Sequence, residues 1–231
     1  MRRSLVIFGF MMQKLLRGWG RIAILVALGG LGIVISALMR GDIGPGTEDG
    51  AAFLVWYGLS IILPLGALLV SSEALGDLRD ERTLVYLWLR PVRAWEATTG
   101  AAAAAFVIVF AFLVVPLIVA GLILDWPMAG AAALAALAYT GVFLAFGLIL
   151  SRPLLMGLLG ILVWENVIGS LTTGTARLTI RSYAASLLVD GGVDVGTPVG
   201  RSFAASIAVP LAVTVAGLLL CAWRWRRAEV P

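Results

Sequence analysis

The sequence predicts an all-α integral membrane protein with six transmembrane helices. Of its 231 residues, 61% are hydrophobic and only 13% are charged, whereas soluble domains carry about 25% charged residues. Uncharged apolar stretches close to the roughly 20 residues that a helix needs to cross a bilayer recur along the chain. A soluble globular core is therefore excluded, and we expect one transmembrane domain over residues 1–231.

Six spans can be assigned in chain order, and turn residues mark two of the connections between them. The segment 41–46 (GDIGPG) separates the first two spans, and Asp125-Trp126-Pro127 separates the third from the fourth. The spans are predicted at 21–39, at 51–72, within 97–124, within 128–150, from Pro153 onward, and at 203–223.

Residues 1–20 predict a helix that lies in the membrane interface before the first span. The apolar run 5–12 is followed by Gln13-Lys14 rather than by a small-residue cleavage site, which argues against a signal peptide. On a helix, the basic side chains fall on one stripe and the large apolar side chains on another. The apolar stripe consists of Leu5, Phe8, Met12, Leu15, Leu16 and Trp19, and the basic one of Lys14, Arg17 and Arg21.

The basic residues predict the orientation in the membrane, because cytoplasmic connections carry an excess of lysine and arginine. With both termini in the cytoplasm, only Arg40, Arg177, Arg181 and Arg201 lie outside. The net charge of +4 is then explained by contact with anionic membrane lipids, and no nucleic acid partner is needed. The cytoplasmic set comprises Arg2, Arg3, Lys14, Arg17, Arg21, Arg79, Arg82, Arg90, Arg93, Arg152, Arg224, Arg226 and Arg227.

Missing residue types exclude several kinds of catalytic site. The chain has no histidine, so neither a Ser-His-Asp triad nor a histidine zinc site can form. The single lysine, Lys14, is followed by Leu15, so the phosphate-binding pattern G-x-x-x-x-G-K-[ST] is absent. Asp42 and Asp125 fall in predicted loops, which argues against an intramembrane aspartyl protease. We therefore expect no enzymatic activity and no metal or cofactor on this chain.

The charged segment 73–93, between spans two and three, predicts either a docking site for another protein or a solvated turn with interfacial anchors. Thr83 is a suitable N-cap for a short helix, and Pro91 ends it. Acidic and basic side chains surround bulky apolar ones, as in the polar rim and apolar centre of many interfaces. The site residues are Glu73, Asp77, Asp80, Glu81, Arg82, Thr83, Leu84, Tyr86, Trp88, Leu89 and Arg90.

Glu165 is the only acidic residue that the sequence places within a span. Counted from Pro153 at 1.5 Å per residue, it lies about 18 Å deep in the membrane, where a charge must face protein or a watery cavity. The expected partners are Asn166, Arg177 and Arg181, in a predicted outer hairpin and loop over 166–201. Two interpretations remain open: a buried structural pair that holds this hairpin, and an outer gate of a substrate path.

Two stretches resemble ABC type-2 transporter permeases. The order of charged residues, E-R-T-L, bulky residues and L-R-P-V-R-A-W in segment 73–95 is similar to their first cytoplasmic loop, although Arg82 stands where glycine is common. Segment 148–188 is similar to their fifth-span region, with the pair Trp164-Glu165, a polar hairpin and Arg181-Ser182-Tyr183. The number of spans and the N-terminal interfacial helix also fit that family, so the resemblance covers nearly the whole chain.

The resemblance implies the membrane subunit of a bacterial ABC exporter in the plasma membrane. Segment 73–93 would contain the cytoplasmic coupling helix, and the hairpin within 166–201 would re-enter the membrane from outside. Two ABC ATP-binding subunits, which would carry ATP and Mg²⁺, and a second permease copy or a paralogue are the implied partners.

Two other functions remain possible from the sequence. Importer permeases dock their ATPase through an E-A-A…G loop, and Glu73-Ala74-Leu75-Gly76 partly matches it, although the glycine lies too close to the glutamate. An ATP-independent carrier or a membrane scaffold is the second alternative. Carriers usually place several ionisable groups near the membrane midplane, whereas the predicted spans contain one.

Overall fold

The computed structural model describes residues 2–43, 47–80, 94–168, 173–189 and 202–227. All regular structure in these ranges is helical, which confirms the predicted all-α class. Two of the long helices and one shorter helix contain π-helical segments, labelled π1 to π3. In chain order the elements are α1 (Arg2–Leu16), α2 (Trp19–Ile43), α3 (Glu48–Phe53), π1 (Leu54–Ile62), α4 (Leu63–Asp80), α5 (Ala94–Val109), π2 (Phe110–Val114), α6 (Val115–Ile123), α7 (Met128–Ile149), α8 (Pro153–Leu159), π3 (Gly160–Ile168), α9 (Thr173–Ala176), α10 (Ile180–Val189) and α11 (Phe203–Arg227).

Five helices in the described part of the chain are long and apolar enough to cross a membrane. They agree with the first four predicted spans and with the last one. The predicted fifth span differs, because Pro153–Ile168 is an apolar helix shorter than 18 residues. The long helices are Trp19–Asp42, Glu48–Leu75, Ala94–Ile123, Met128–Ile149 and Phe203–Arg227.

Large apolar side chains are exposed along the outside of the bundle. Leu38 in α2 is 67% exposed and Leu219 in α11 is 66% exposed, and π3 exposes Leu162, Val163 and Val167. Soluble monomers rarely expose contiguous apolar surface on this scale. Together with the long apolar helices, this surface indicates a multi-pass protein embedded in a membrane.

The tight turn between α6 and α7 shows how the sequence closes a helical hairpin. Asp125 adopts a left-handed conformation with φ of 59°, and the N–H of Trp126 donates to the carbonyl of Gly121 at 2.7 Å. A Cβ at Gly121 would lie 2.7 Å from the Trp126 carbonyl oxygen, so the turn requires glycine there. The Trp126 indole donates to the Thr47 carbonyl at 3.3 Å, which joins this turn to the start of α3.

Helix α7 occupies the middle of the bundle and packs mainly against α4 and α11. Glycines allow both close approaches. A Cβ at Gly217 would lie 2.5 Å from the Gly141 carbonyl oxygen, and one at Gly147 would lie 2.7 Å from that of Ser72. The alanine-rich sequence of α7 therefore serves close packing between helices, as small residues commonly do in membrane proteins. Its buried alanines are Ala131, Ala132, Ala135, Ala136, Ala138 and Ala145.

Helix α1 is separate from α2 and packs against α5 and α4. Its buried face differs in detail from the predicted apolar stripe. Ile7, Met11 and Leu15 are buried, whereas Leu5 and Trp19 are 66% and 86% exposed. The difference arises because α1 packs one apolar row on the bundle and exposes a second one, and because Trp19 belongs to α2.

The alternation of helix directions creates two ends of the bundle. The "α1 end" contains α1, the start of α2, the end of α4, the starts of α5 and α8, and the end of α11. The "α10 end" contains the start of α3, the turn at Asp125 and the start of α11.

Candidate functional site

A buried polar cluster lies at Glu165 in π3, where the sequence predicts a site. The Glu165 side chain is 6% exposed. Its carboxylate accepts the backbone N–H of Ile180 at 3.0 Å through Oε1 and that of Arg181 at 3.2 Å through Oε2. These two groups belong to the first turn of α10, where backbone N–H groups have no partner within the helix. Glu165 therefore caps α10 from a different helix.

Arg181 joins the cluster through both its main chain and its side chain. Its Nη1 donates to Ser60 Oγ at 3.1 Å and to Asn166 Oδ1 at 3.4 Å. The Asn166 amide in turn donates to the carbonyls of Ile161 at 2.9 Å and Ser60 at 3.5 Å. The cluster thus fastens α10 to π1 and π3.

Tyr139 in α7 completes the cluster and was not predicted from the sequence. Its side chain is 1% exposed, and its hydroxyl lies beside the Glu165 carboxylate and the main chain of Arg181. Within the described part of the chain, neither this hydroxyl nor Arg181 Nε has a hydrogen-bond partner of standard geometry. The Tyr139 hydroxyl therefore lies against Glu165 and Arg181 without forming a hydrogen bond of standard geometry.

The cluster lies deep in the bundle. Tyr139 is at the midpoint of the 22-residue helix α7, which places it about 16 Å from either end at 1.5 Å per residue. At the other end of α10, the hydroxyls of Ser186 and Ser206 are 2.5 Å apart, and Ser206 lies in the first turn of α11. Helix α10 therefore begins in the middle of the bundle and ends near the start of α11, at the α10 end.

The turn between α9 and α10 positions this helix. The N–H groups of Leu178 and Thr179 donate to the carbonyls of Thr175 and Ala176 at 2.9 and 3.3 Å. The Thr179 hydroxyl also donates to the Ala176 carbonyl at 2.9 Å. The indole of Trp164 donates to the Leu178 carbonyl at 3.1 Å, which ties the turn to π3 one residue before Glu165.

Of the four residues predicted for this site, the structure brings three together. Glu165, Asn166 and Arg181 form the cluster, whereas Arg177 is exposed. Ser60 and Tyr139 are the residues that the sequence interpretation missed. Each is a polar residue within a predicted apolar span, and this is the only sign in the sequence that it could take part in a buried site. Nothing in the sequence links these two spans to the hairpin.

The predicted docking segment 73–93 is only partly described. The Glu73 carboxylate forms an ion pair with the guanidinium of Arg21 at the start of α2, with side chains 25% and 20% exposed respectively. Asp77 and Asp80 lie in the last turns of α4. The other predicted residues lie outside the described ranges: Glu81, Arg82, Thr83, Leu84, Tyr86, Trp88, Leu89 and Arg90.

Glu96 in α5 is a further buried acidic residue, which the sequence interpretation does not include. Helix α5 begins at Ala94, three residues before the predicted span, and therefore includes Glu96. This side chain is only 9% exposed. The sequence interpretation misses it because the predicted span begins with the apolar run at residue 97, whereas the helix begins at Ala94.

Metal ligands are not grouped in the described residues. Across residues 2–43, 47–80, 94–168, 173–189 and 202–227, no three His, Cys, Asp or Glu side chains lie together in a way that could hold a metal ion. The cluster can instead provide hydrogen-bond donors, a cation and a helix N-terminus to an acceptor or an anion.

No protein-family model matches the chain, and no curated protein matches it.

Proposed function

We propose that the chain is the transmembrane permease subunit of an ATP-driven ABC exporter, which forms the substrate path and couples to separate ATP-binding subunits. The observation that carries this proposal is the way in which span two ends. Helix α4 continues to Asp80 and leads into the segment that resembles an ABC coupling loop, and Glu73 ties this helix to Arg21 in span one. A displacement of the segment would therefore act on two spans together.

In this proposal the membrane domain has six spans, and Pro153–Ile168 is a short fifth span. Its outward side chains support this, because Leu155, Leu159 and Leu162 are each about half exposed. The hairpin that follows would re-enter the membrane from outside. Its support is the deep position of the α10 N-terminus, which Glu165 holds near the middle of the bundle.

The proposed location is the bacterial plasma membrane, with both termini and the α1 end in the cytoplasm. Antiparallel helices bring basic residues from distant parts of the sequence to that end. They include Arg21 at the start of α2, Arg152 before α8 and Arg226 near the end of α11. An excess of arginine at one end is typical of the cytoplasmic side.

The proposed transporter contains two copies of this chain, or one copy and a paralogue, with two ABC ATP-binding subunits. ATP and Mg²⁺ bind to those subunits. The buried cluster of Glu165, Asn166 and Arg181 would close the outer end of the path, because it fastens the hairpin to π1 and π3.

One observation favours a second function, that of an ATP-independent carrier. Carriers place ionisable groups near the membrane midplane, and Glu165 and Arg181 both lie in a cluster at the middle of α7. The two functions differ in whether an ATPase binds to segment 73–93.

Replacement of Trp88 by alanine tests the proposed coupling segment. Loss of a central aromatic anchor in an interface commonly costs about 2 kcal/mol or more, so we expect Trp88→Ala to reduce strongly the amount of ATP-binding subunit that co-purifies with the tagged full chain in mild detergent. Trp95→Ala is the matched control, since Trp95 is 45% exposed in α5. Equal recovery of the ATPase with both variants would contradict a docking role for segment 73–93.

A further inference from the structure

The first turn of α10 is arranged as an anion site that an internal carboxylate occupies. Helix N-termini bind anions because their backbone N–H groups are free and carry the positive end of the helix dipole. Here the N–H groups of Ile180 and Arg181 both point at the Glu165 carboxylate. The helix has ten residues, which is long enough to contribute a dipole.

The cluster offers more donors than Glu165 satisfies. The hydroxyl of Tyr139, whose side chain is 1% exposed, is directed at the Glu165 carboxylate and the helix N-terminus. In the described part of the chain, neither this hydroxyl nor Arg181 Nε has a hydrogen-bond partner of standard geometry. Buried donors without acceptors are costly, so the arrangement favours a further acceptor. An anionic group with several oxygens would suit it better than one carboxylate does.

The surroundings indicate that such an anion is attached to an apolar body. The site lies about 16 Å from the ends of the bundle at 1.5 Å rise per residue, far from the aqueous phases. The segment that carries Glu165 also presents Leu162, Val163 and Val167 outward, each roughly half exposed. Polar cluster and apolar outer surface thus lie on opposite faces of π3. The anionic headgroup of an amphiphile could occupy the cluster while its acyl chains lie among the apolar side chains of the bundle.

We propose that this cluster binds the anionic headgroup, a phosphate or a carboxylate, of a membrane amphiphile, and that Glu165 is the resident carboxylate that the headgroup displaces. Arg181 supplies the charge, the first turn of α10 and Tyr139 supply hydrogen-bond donors, and Asn166 and Ser60 hold the guanidinium in place. This inference rests on the proposed transport function, for which it names a substrate class.

Displacement of a fluorescent phosphatidic acid from the purified full chain in neutral detergent tests the inference. The competitors are unlabelled phosphatidic acid, oleate, phosphatidylcholine and inorganic phosphate. Phosphatidic acid and oleate should displace the probe, whereas phosphatidylcholine should not. Displacement by inorganic phosphate at the same concentration as phosphatidic acid would overturn the assignment to an amphiphile and indicate a soluble anion.

The variants separate this cluster from general charge effects. Arg181→Gln and Tyr139→Phe should each weaken binding about tenfold or more, since each loses a hydrogen bond to a charged group. Arg177→Gln, which removes the same charge from the same hairpin at an exposed position, should leave binding unchanged. Glu165→Gln should strengthen binding, because it removes the resident negative charge.

Two results would overturn the site. One is equal binding by Arg181→Gln and Arg177→Gln, and the other is equal displacement by phosphatidic acid and phosphatidylcholine. Tyr139→Phe removes a single oxygen, so it tests the site even where Arg181→Gln fails to fold. The assay contains no ATP-binding subunit. Absence of an ATPase partner would therefore refute the proposed transporter without changing these results, and absence of binding here would leave the ATPase test intact.

Discussion

Glu165 acts as the N-cap of α10, a role that the residue immediately before a helix usually has. Thr179 precedes α10, and its hydroxyl donates to the Ala176 carbonyl. The cap comes instead from a carboxylate in π3, fifteen positions earlier in the chain. A cap supplied by another helix is a tertiary contact as well as a local one, because its loss frees both the helix N-terminus and the hairpin.

We expect Glu165→Ala to destabilise the purified chain by about 1–2 kcal/mol, the usual cost of losing an N-cap side chain. Glu165→Gln should lie between the wild type and Glu165→Ala, because an amide oxygen still accepts one N–H. Thermal unfolding in detergent measures the effect. Glu48→Ala, an exposed glutamate in the first turn of α3, is the matched control. Identical midpoints for Glu165→Ala and Glu48→Ala would show that the cap contributes nothing.

The sequence predicts that there is a polar site at Glu165 but not which groups form hydrogen bonds with it. Glu165 is identifiable because a carboxylate inside an apolar span needs a partner, and its neighbours Asn166 and Arg181 were within reach. The choice between Arg177 and Arg181 could not be made, since it depends on how α10 is rotated about its axis. The backbone hydrogen bonds of Glu165 and the position of Tyr139 beside it depend on how separate helices pack. The spacing of residues within one helix does not predict this packing.

At the scale of helices, the Arg21–Glu73 pair joins the start of α2 to the last part of α4, within the proposed coupling segment 73–93. Both side chains are partly exposed, and ion pairs of this kind contribute only about 0–1 kcal/mol to stability. We therefore expect the pair to transmit movement between α2 and α4 rather than to stabilise the fold.

We expect Glu73→Gln to leave the unfolding midpoint of the chain nearly unchanged but to lower substrate-stimulated ATP hydrolysis by the assembled transporter. The exchange Arg21→Glu with Glu73→Arg should restore it in part, because the pair is reformed with reversed charges. Asp49→Asn, which removes an exposed charge at the α10 end, is the control. A Glu73→Gln transporter with normal stimulation would show that the pair is not part of the coupling route.

The hairpin around α10 permits a position-by-position test. In a Cys221→Ser background, cysteines at Glu48 and Asp49 should react quickly with a membrane-impermeant thiol reagent added from outside, since both side chains are exposed at the α10 end. Cysteines at Ser182 and Ala185 should not react, because these side chains are 4% and 0% exposed. Equal labelling at all four positions would exclude a hairpin embedded in the bundle.

Element boundaries were predicted less well than elements. Helix α5 begins before its apolar run and so includes Glu96, because a helix can continue through a polar turn when that turn packs against protein. In α1 the buried row is Ile7, Met11 and Leu15, of which the predicted stripe contains only Leu15. Both rows are apolar, so hydrophobicity alone cannot tell which one faces the bundle.

For the molecule as a whole, composition and apolar periodicity were sufficient for the fold class and for five of the spans. The predicted fifth span is the exception, because the described apolar helix at that place, Pro153–Ile168, has fewer than 18 residues. A helix of this length spans about 24 Å at 1.5 Å per residue, less than the hydrocarbon thickness of about 30 Å. Its depth in the membrane therefore depends on the hairpin that follows.

The central claim is that this chain provides a membrane path and takes its energy from another subunit. The most direct measurement is the composition and ATP turnover of the complex that purifies with the tagged full chain in mild detergent. We predict two copies of a permease chain with two copies of an ABC ATP-binding subunit, and ATP turnover only when that subunit is present. Turnover by the chain alone above that of a mock preparation, or a chain that purifies without any ATPase, would contradict the account.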